Sequence, residues 1–293
     1  MISVLLTAWK EPETIKKAIE AFQNQTTKEK YEILVIAPDK ETLDSAKQYK
    51  DVKVFKDECK GKPTALNILF QKAKGEILIL SDGDVSVSNN AIEELTKQFQ
   101  DPTIGAVTGR PISTNPRNNM LGYWSHLLTD VGAHMTREQK IKKNQFIICS
   151  GYLFAMRNIL KEIPTDALAD DGVMSYMVHE KGYRIGYAPN ANVYVKFPTT
   201  LKDWIKQKKR SAGGYEQIKK YIKNPPKMRS FSQEIIHGWY KPFIYPKNPK
   251  EFIWSLALYP TRLYLWYKIK KEIDINIKQE DFKKVWAPIE TTK

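Results

Sequence analysis

The chain has 293 residues, of which 42% are hydrophobic and 11% aromatic, and this composition excludes a disordered chain. Its formal net charge of +14 is concentrated in residues 201–293, which hold 21 lysines and arginines against nine acidic residues. Such asymmetry indicates an anionic partner: an anionic substrate, a phospholipid surface or nucleic acid. The two cysteines cannot form a disulfide framework, which favours a cytoplasmic protein.

Residues 1–111 alternate between two hydrophobic patterns. Short apolar runs predict strands, and the segments between them carry apolar residues at helical spacing. The predicted strands are ISVLLTAW, YEILVIAP, VKVFK, EILILSD and IGAVTGRP, and the predicted helices are PETIKKAIEAFQNQ, KETLDSAKQY, KPTALNILFQKAKG and AIEELTKQF. This alternation predicts an α/β fold with a mostly parallel, doubly wound sheet, in which ligands bind at the carboxyl ends of the strands.

The pattern is less regular beyond residue 112. Residues 115–143 are expected to be mainly helical, and NQFIICSGYLFAMR is expected to be a strand that passes into a turn at Ser150 and Gly151. A helix is predicted for DDGVMSYMVHEKG, a strand with a turn at Pro189 for YRIGYAPNANVYVKF, and a helix broken at Gly213 for TLKDWIKQKKRSAGGYEQIKKYIK.

An aromatic segment, EFIWSLALYPTRLYLWYKIKKEI, lies in the basic C-terminal region. Its apolar part, Phe252 to Tyr267, is interrupted by Pro260 and Arg262 and is too short for an ordinary spanning helix. Tryptophan, tyrosine and flanking lysines suit a segment in a membrane interface. The same features suit an aromatic helix packed on the rest of the protein, and the sequence does not separate the two.

Asp82 is the last residue of the predicted strand EILILSD, and a second aspartate, Asp84, follows after one glycine. Carboxylates at this spacing repel each other and are costly to bury, so a cation is expected beside them. Oxygen ligands suit Mg²⁺ or Mn²⁺, which would in turn bind a diphosphate. Aspartates spaced in this way are common in turns, so the interpretation depends on their place at a strand end.

A series of motifs resembles the family 2 inverting glycosyltransferases, which have the GT-A fold. In order, the motifs are ISVLLTAWKEPETIKKAIEAFQNQ, KGKPTALN, GEILILSDGDVSV, TGRP, SGYLFAMR, ADDGVMSYMVHEKGYRIGYAP and QKKRS. The branch of cellulose, chitin and hyaluronan synthases is the most similar. The resemblance covers about residues 1–215 and implies a GT-A catalytic domain there, followed by a helical C-terminal extension at 216–293.

The resemblance also implies roles for single residues. Asp82 and Asp84 would hold the metal, and Ser150, Gly151 and Asp170 would line the acceptor or sugar pocket. The residues implied in donor binding are Thr7, Ala8, Glu11, Asp39, Lys62, Asn67, Asp82, Gln207 and Arg210. Arg210 would form charge-assisted hydrogen bonds to the donor pyrophosphate.

Asp171 is the implied catalytic base. An inverting transferase brings an acceptor hydroxyl directly onto the anomeric carbon, so one carboxylate must take the hydroxyl proton while the nucleotide diphosphate departs. The segment ALADD aligns with the family's T-E-D segment, with Asp170 in place of the glutamate. Acidic residues also suit a helix N-terminus, but the motif position favours the base.

Three departures from the family pattern narrow the expected reaction. Ser211 replaces the tryptophan of the family's Q-x-x-R-W segment, Ala37 and Pro38 stand where aspartates are usual, and no transmembrane bundle is expected. Ser211 and the missing bundle argue against processive synthesis. They favour a single transfer to a glycan or lipid-linked acceptor, by an enzyme peripheral to the inner face of an anionic membrane. Ala37 and Pro38 leave the base specificity open, although a UDP-sugar is favoured.

Other functions remain open on the sequence alone. A polyprenyl-phosphate sugar transferase would usually lack the segment with Gln207 and Arg210, and a nucleotidyltransferase would not need Asp171 on the acceptor side. A nucleic-acid-binding protein is not expected, because strand-end carboxylates would repel a phosphate backbone and no nucleic-acid motif is present.

Overall fold

The chain forms two compact units in the part that the computed structural model describes, residues 1–222, 226, 241–276 and 292. One unit comprises Met1–Ile112 and Arg137–Val195, and the other comprises Ser113–Thr136 and Lys196–Lys293. This division differs from the predicted boundary at residue 215, which lies inside a continuous helix. The functional division into a catalytic domain and an extension stays a prediction, and much of the extension (223–225, 227–240, 277–291 and 293) lies outside the described residues.

The first unit is built on an eight-stranded sheet with the order β3-β2-β1-β4-β7-β6-β8-β5. The strands are β1 (Ile2–Thr7), β2 (Tyr31–Ala37), β3 (Val52–Lys56), β4 (Ile77–Asp82), β5 (Ser86–Val87), β6 (Ile104–Ser113), β7 (Leu153–Arg157) and β8 (Arg184–Val195). The first four strands pair in parallel, as predicted. β7 runs antiparallel to both β4 and β6, so the sheet is mixed.

Helices alternate with the first four strands along the chain, and further helices follow. They are α1 (Thr14–Gln23), α2 (Lys40–Ala46), α3 (Lys62–Lys72), α4 (Ala91–Thr96), α5 (Met120–Leu127), α6 (Thr136–Lys142), α7 (Asp170–Glu180), α8 (Leu201–Tyr221), α9 (Lys241–Ile244) and α10 (Pro249–Asn276). A π-helical segment, Leu128–Met135, joins α5 to α6. All six residues of β1 are buried, as expected for a parallel strand that is covered on both faces.

Two predicted breaks are absent. β8 runs through Pro189 as one strand, because β5 pairs only with Val193 and Tyr194 and leaves the proline outside that ladder. α8 runs through Gly213 and Gly214, and it buries Gln217 and Ile218 in its last turns. A glycine costs a helix only about 1 kcal/mol, which packing of this kind outweighs.

The second unit is helical around an aromatic core. Tyr123 and Trp124 of α5 pack with Trp204 of α8 and with Leu258 and Leu265 of α10. α10 is one continuous helix across Pro260, although the apolar run of its sequence is interrupted there. Among the described residues, no helix is both long enough and apolar enough to cross a membrane.

A partly buried ion pair fixes the first turn of α10 in this unit. Arg117 donates two hydrogen bonds to the carboxylate of Glu251, at 2.8 and 2.9 Å, and a third of 3.1 Å to the hydroxyl of Tyr245. Tyr245 in turn donates to Asp130 at 2.6 Å. Bidentate arginine–carboxylate geometry of this kind is specific in direction, so it sets the position of the helix start.

Candidate active site

The carboxyl ends of β1 and β4 bring predicted donor residues together. Thr7 lies opposite Asp82 in the parallel ladder, and the backbone N–H of Gly83 donates to the carbonyl of Thr7 at 2.8 Å. The N–H of Ala8 donates to the carbonyl of Ile36 at 3.1 Å, which continues the same edge to β2. Asp84 follows in the turn after β4. The predicted site is therefore located at the edge where open α/β sheets bind ligands.

Gly83 occupies a position that has no room for a side chain. A Cβ atom there would lie 2.6 Å from Cβ of Ala8 and 3.0 Å from Oε2 of Glu11. Real Cβ atoms do not approach so closely, so a larger residue would push the two strand ends apart. The glycine between the aspartates thus lets the loop carrying Ala8 and Glu11 lie directly against the aspartate turn.

Lys62, at the start of α3, connects two acidic segments of the site. Its Nζ atom lies 2.5 Å from Oδ1 of Asp82 and 3.4 Å from Oδ2 of Asp170. Burial by itself would lower the pKa of Lys62, but the carboxylates of Asp170 and Asp82 outweigh it and raise this pKa above its ordinary value. The lysine is therefore a permanent positive charge among the acidic side chains.

Asp171 is held by two backbone amides at the start of α7. Its Oδ2 accepts a hydrogen bond of 2.9 Å from the N–H of Gly151, and its Oδ1 accepts one of 2.7 Å from the N–H of Gly172. Burial, followed by the neighbouring charge of Asp170, raises the pKa of Asp171 to about 6. A carboxyl group with this pKa is ionised at neutral pH and is a better proton acceptor than an ordinary aspartate.

The turn at Ser150 and Gly151 is held by side chains, and the strand predicted before it is absent. β7 begins only at Leu153. The backbone N–H groups of Cys149 and Ser150 donate to the hydroxyls of Ser175 and Thr108, each at 3.0 Å. These bonds replace a strand ladder and fix the turn beside α7, where Gly151 faces Asp171.

Asp170 is nearly buried, with 7% of its surface exposed, and its Oδ2 makes no hydrogen bond within the described residues. That oxygen has only the ion pair with Lys62 as compensation. A buried oxygen with unused acceptor capacity is costly unless a ligand or water satisfies it. This fits the predicted place of Asp170 in a pocket for a hydroxyl-bearing acceptor or sugar.

Asp39 caps α2 and orders the loop after β1. Its Oδ1 accepts from the N–H of Thr42 at 3.0 Å and its Oδ2 from the N–H of Lys10 at 2.8 Å. Burial would raise the pKa of Asp39, but these hydrogen bonds bring it below the ordinary value. The predicted role of Asp39 in reading the base stays a prediction.

A cavity of about 450 Å³ opens beside Asp39, at the ends of β2 and β3. It is lined by Pro38, Lys56, Asp57, Glu58 and Cys59. Asp57 is 8% exposed, and its burial raises the pKa of its carboxyl group. Sequence reasoning named Pro38 but assigned no role to Asp57, Glu58 and Cys59, although their position directly after the predicted strand VKVFK was a usable signal.

The contact of Asn67 with the donor stays a prediction, and the structure shows a second engagement of its side chain. Its amide group donates to the carbonyl of Ile163 at 2.9 Å and accepts from the N–H of Ile163 at 2.8 Å. Both ends of the amide are therefore engaged with the segment that leads to α7. Asn67 positions the backbone that carries Asp170 and Asp171.

Gln207 and Arg210 lie three residues apart on α8, on neighbouring positions of one helix face. They belong to the second unit, whereas the strand-end residues belong to the first. Their contact with a donor pyrophosphate stays a prediction.

The acidic residues fit a divalent cation that also binds a diphosphate. Among the described residues, no group of three or more His, Cys, Asp and Glu side chains forms a complete metal cage. Mg²⁺ and Mn²⁺ at nucleotide sites need only one or two carboxylates, because phosphate oxygens and water complete the coordination. Asp82 and Asp84 can supply that partial set.

The chain belongs to glycosyltransferase family 2. The model of the family described as "Glycosyltransferase like family 2" matches residues 1–214. A poly-beta-1,6-N-acetyl-D-glucosamine synthase from Staphylococcus aureus is 27% identical over 248 residues, which are 80% of this chain and 60% of that protein. The chain thus spans about three fifths of the length of this curated relative. The family resemblance is confirmed.

Solved structures confirm the GT-A fold. One is the mannosyltransferase PcManGT from Pyrobaculum calidifontis in complex with GDP-Man and Mn²⁺, with a TM-score of 0.62 and 19% sequence identity. The match covers 97% of the present chain and 82% of PcManGT. Another is TarS 1–349 from S. aureus in complex with UDP, with a TM-score of 0.53 and 13% sequence identity. That match covers 85% of the present chain and 76% of the TarS chain.

Proposed function

We propose that the protein is a metal-dependent, inverting glycosyltransferase that moves a sugar from a nucleotide-diphosphate donor, a UDP-sugar in particular, to a hydroxyl of a glycan or lipid-linked acceptor. The observation that carries the proposal is the environment of Asp171: a partly buried carboxylate, oriented by two backbone amides, with a pKa of about 6. Lys62 forms ion pairs both with Asp170, the residue before Asp171, and with the strand-end Asp82. The S. aureus synthase among the relatives supports the hexosyl- or N-acetylhexosaminyltransferase class.

Asp171 takes the proton of the acceptor hydroxyl as that oxygen attacks the anomeric carbon. The amides of Gly151 and Gly172 hold the carboxylate in one orientation, which keeps one oxygen lone pair available without rotation of the side chain. Gly151 lacks a Cβ atom, which would lie 3.4 Å from Oδ2 of Asp171, and so leaves room for the acceptor beside the base.

The departing nucleotide diphosphate is stabilised at the aspartate turn. Asp82 and Asp84 would hold a divalent cation, which would supply charge stabilisation for the leaving diphosphate. Lys62 adds a fixed positive charge beside Asp82, and we assign pyrophosphate contacts to Gln207 and Arg210. Thr7, Ala8 and Glu11 line the nucleotide along the edge of β1.

The base of the donor is assigned to the cavity at the ends of β2 and β3. Asp39 lies at its side, and the buried carboxyl of Asp57 forms part of its wall. Ring N–H groups of a uracil or a guanine could donate to such carboxylates. The solved neighbours hold GDP-Man in one case and UDP in the other, so the donor has to be identified by experiment.

The experiment is nucleoside-diphosphate release from a panel of UDP-, GDP- and dTDP-sugars with Mn²⁺, Mg²⁺ or EDTA. We expect release from one donor, and we expect that release to be lost with EDTA and in Asp84→Asn. The control Asp51→Asn should keep it, because Asp51 is exposed and directly precedes β3, at the end of the strand opposite to the site. Release that persists in EDTA and in Asp84→Asn would contradict the metal site.

The same assay separates the alternatives. A nucleotidyltransferase would release pyrophosphate from a nucleoside triphosphate and leave the sugar nucleotides intact. A polyprenyl-phosphate sugar transferase would transfer the sugar to added polyprenyl phosphate. Absence of both nucleotide binding and release across the panel would overturn the proposed function.

A further inference from the structure

One face of α10 is an exposed apolar stripe. It consists of Phe252, Ile253, Leu256, Leu263, Tyr264 and Tyr267, which we call the α10 stripe. Ile253 and Tyr267 are each 64% exposed. At 3.6 residues per turn, the six side chains fall within an arc of about 120° along four turns of the helix. Soluble surfaces seldom carry so continuous a row of large apolar side chains without a partner.

The opposite face of α10 is already buried in protein. Glu251, Ser255, Leu258 and Leu265 are each at most 5% exposed and fall within an opposite arc of about 80°. The hydroxyls of Ser255 and Tyr123 are hydrogen bonded at 2.6 Å, and α10 shares the aromatic core of the second unit. The helix therefore needs only one face for folding, and the α10 stripe has no role in that core.

Lysines border the stripe at both of its ends. Nζ of Lys250 lies 4.9 Å from the ring centroid of Trp254, and Nζ of Lys268 lies 5.4 Å from that of Tyr264. Viewed down the helix axis, both lysines lie along the same edge of the α10 stripe, the edge formed by Ile253 and Tyr264. A lysine there can lay its methylene stem along an apolar surface and hold its ammonium group at an anionic layer.

We propose that the α10 stripe docks on an anionic lipid bilayer, with its apolar side chains in the headgroup and acyl boundary and its lysines at the headgroups. The charge of the surrounding chain selects this occupant, because residues 201–293 carry 21 basic against nine acidic residues. A second copy of so basic a region would add like charges across the contact, whereas anionic lipid neutralises them. Exposed tyrosines suit the interfacial layer.

Flotation with vesicles tests the docking surface on the full chain. We compare phosphatidylcholine vesicles with vesicles holding about 30 mol% phosphatidylglycerol, at low and high salt. The test variant is Ile253→Glu/Leu263→Glu, and the matched control is Leu201→Glu, an equally apolar residue that is 43% exposed on α8. Circular dichroism and a thermal melt establish that each variant is folded.

We expect the anionic vesicles to bind at least about tenfold more tightly than the neutral ones, with weakening at high salt. The double variant should lose at least about tenfold in affinity, and Leu201→Glu should bind as the native chain does. Failure to bind anionic vesicles, or equal binding by the double variant, would overturn the proposal. So would a native dimer by sedimentation that the double variant converts to a monomer. The vesicle assay needs no sugar donor, so its outcome is independent of the proposed transfer reaction.

Discussion

The backbone N–H of Gly151 and the carboxylate of Asp171 are joined by a hydrogen bond of 2.9 Å between a turn and a helix start that are 20 residues apart in the chain. The turn itself is fixed by Thr108 on β6 and Ser175 on α7. The orientation of the proposed base is thus set by the sheet and by its own helix together.

Asp171→Asn should retain nucleotide binding and lose turnover. The asparagine oxygen can still accept one amide hydrogen bond, so the site keeps its shape, but the side chain can no longer take a proton. A loss of about 10²- to 10⁴-fold in nucleoside-diphosphate release is expected. Calorimetric titration with the nucleotide is the control, and near-native turnover with intact binding would show that another group is the base.

The stability of the protein should depend on pH through the same carboxyl group. Because folding raises the pKa of Asp171 from 3.8 to about 6, its contribution to stability is fully present below about pH 3.8 and is lost as the pH rises through about 6. Relative to the native chain, metal-free Asp171→Asn should therefore gain thermal stability as the pH rises from about 4 to about 7.

Asp39→Asn should change stability with pH in the opposite direction to Asp171→Asn. The hydrogen bonds from Thr42 and Lys10 lower the pKa of Asp39, so its contribution to stability is present at neutral pH and is lost on acidification. The native chain should exceed Asp39→Asn in melting temperature at neutral pH, and the difference should shrink in acid. Parallel curves for the two variants would refute the assigned directions.

Gly83→Ala should damage both stability and the site. The new methyl group would meet Cβ of Ala8 at 2.6 Å, and forced overpacking of this kind costs about 1–3 kcal/mol. Chemical denaturation measures the change, with Gly132→Ala as the control because its nearest contact would be an ordinary 3.8 Å. The double variant Gly83→Ala/Ala8→Gly should recover part of the loss, and no recovery would mean that Ala8 is not the clashing group.

Asn67→Ala distinguishes a positioning residue from a donor ligand. Removing the amide leaves the N–H and carbonyl of buried Ile163 without their partners, and an unsatisfied buried group costs about 1–3 kcal/mol. We expect lower stability and slower release with little change in nucleotide affinity. Weaker nucleotide binding at unchanged stability would support the original donor assignment.

The sequence predicted the parallel half of the sheet well, because β1, β2 and β4 contain continuous apolar runs and β3 alternates apolar residues with lysines. It also selected Asp82, Lys62 and Asp171 by motif order, and their roles stay predictions. It could not predict the engagement of Asn67 with Ile163, which are 96 residues apart and meet only after folding. For the same reason, the side-chain bonds that replace a strand before Gly151 left no signal in the hydrophobic pattern.

The ion pair between Arg117 and Glu251 has a consequence for the kinetics of lipid association. It fixes the first turn of α10, and the aromatic core holds the remaining buried face, so the helix is formed before any bilayer is present. Segments that fold only on binding must order their backbone at that moment, which lowers their affinity for a given contact area. A preformed α10 avoids that ordering step. The far-UV circular dichroism of the protein should therefore stay unchanged on addition of vesicles. The lifetime of the bound state should be set by the rate at which the protein leaves the membrane.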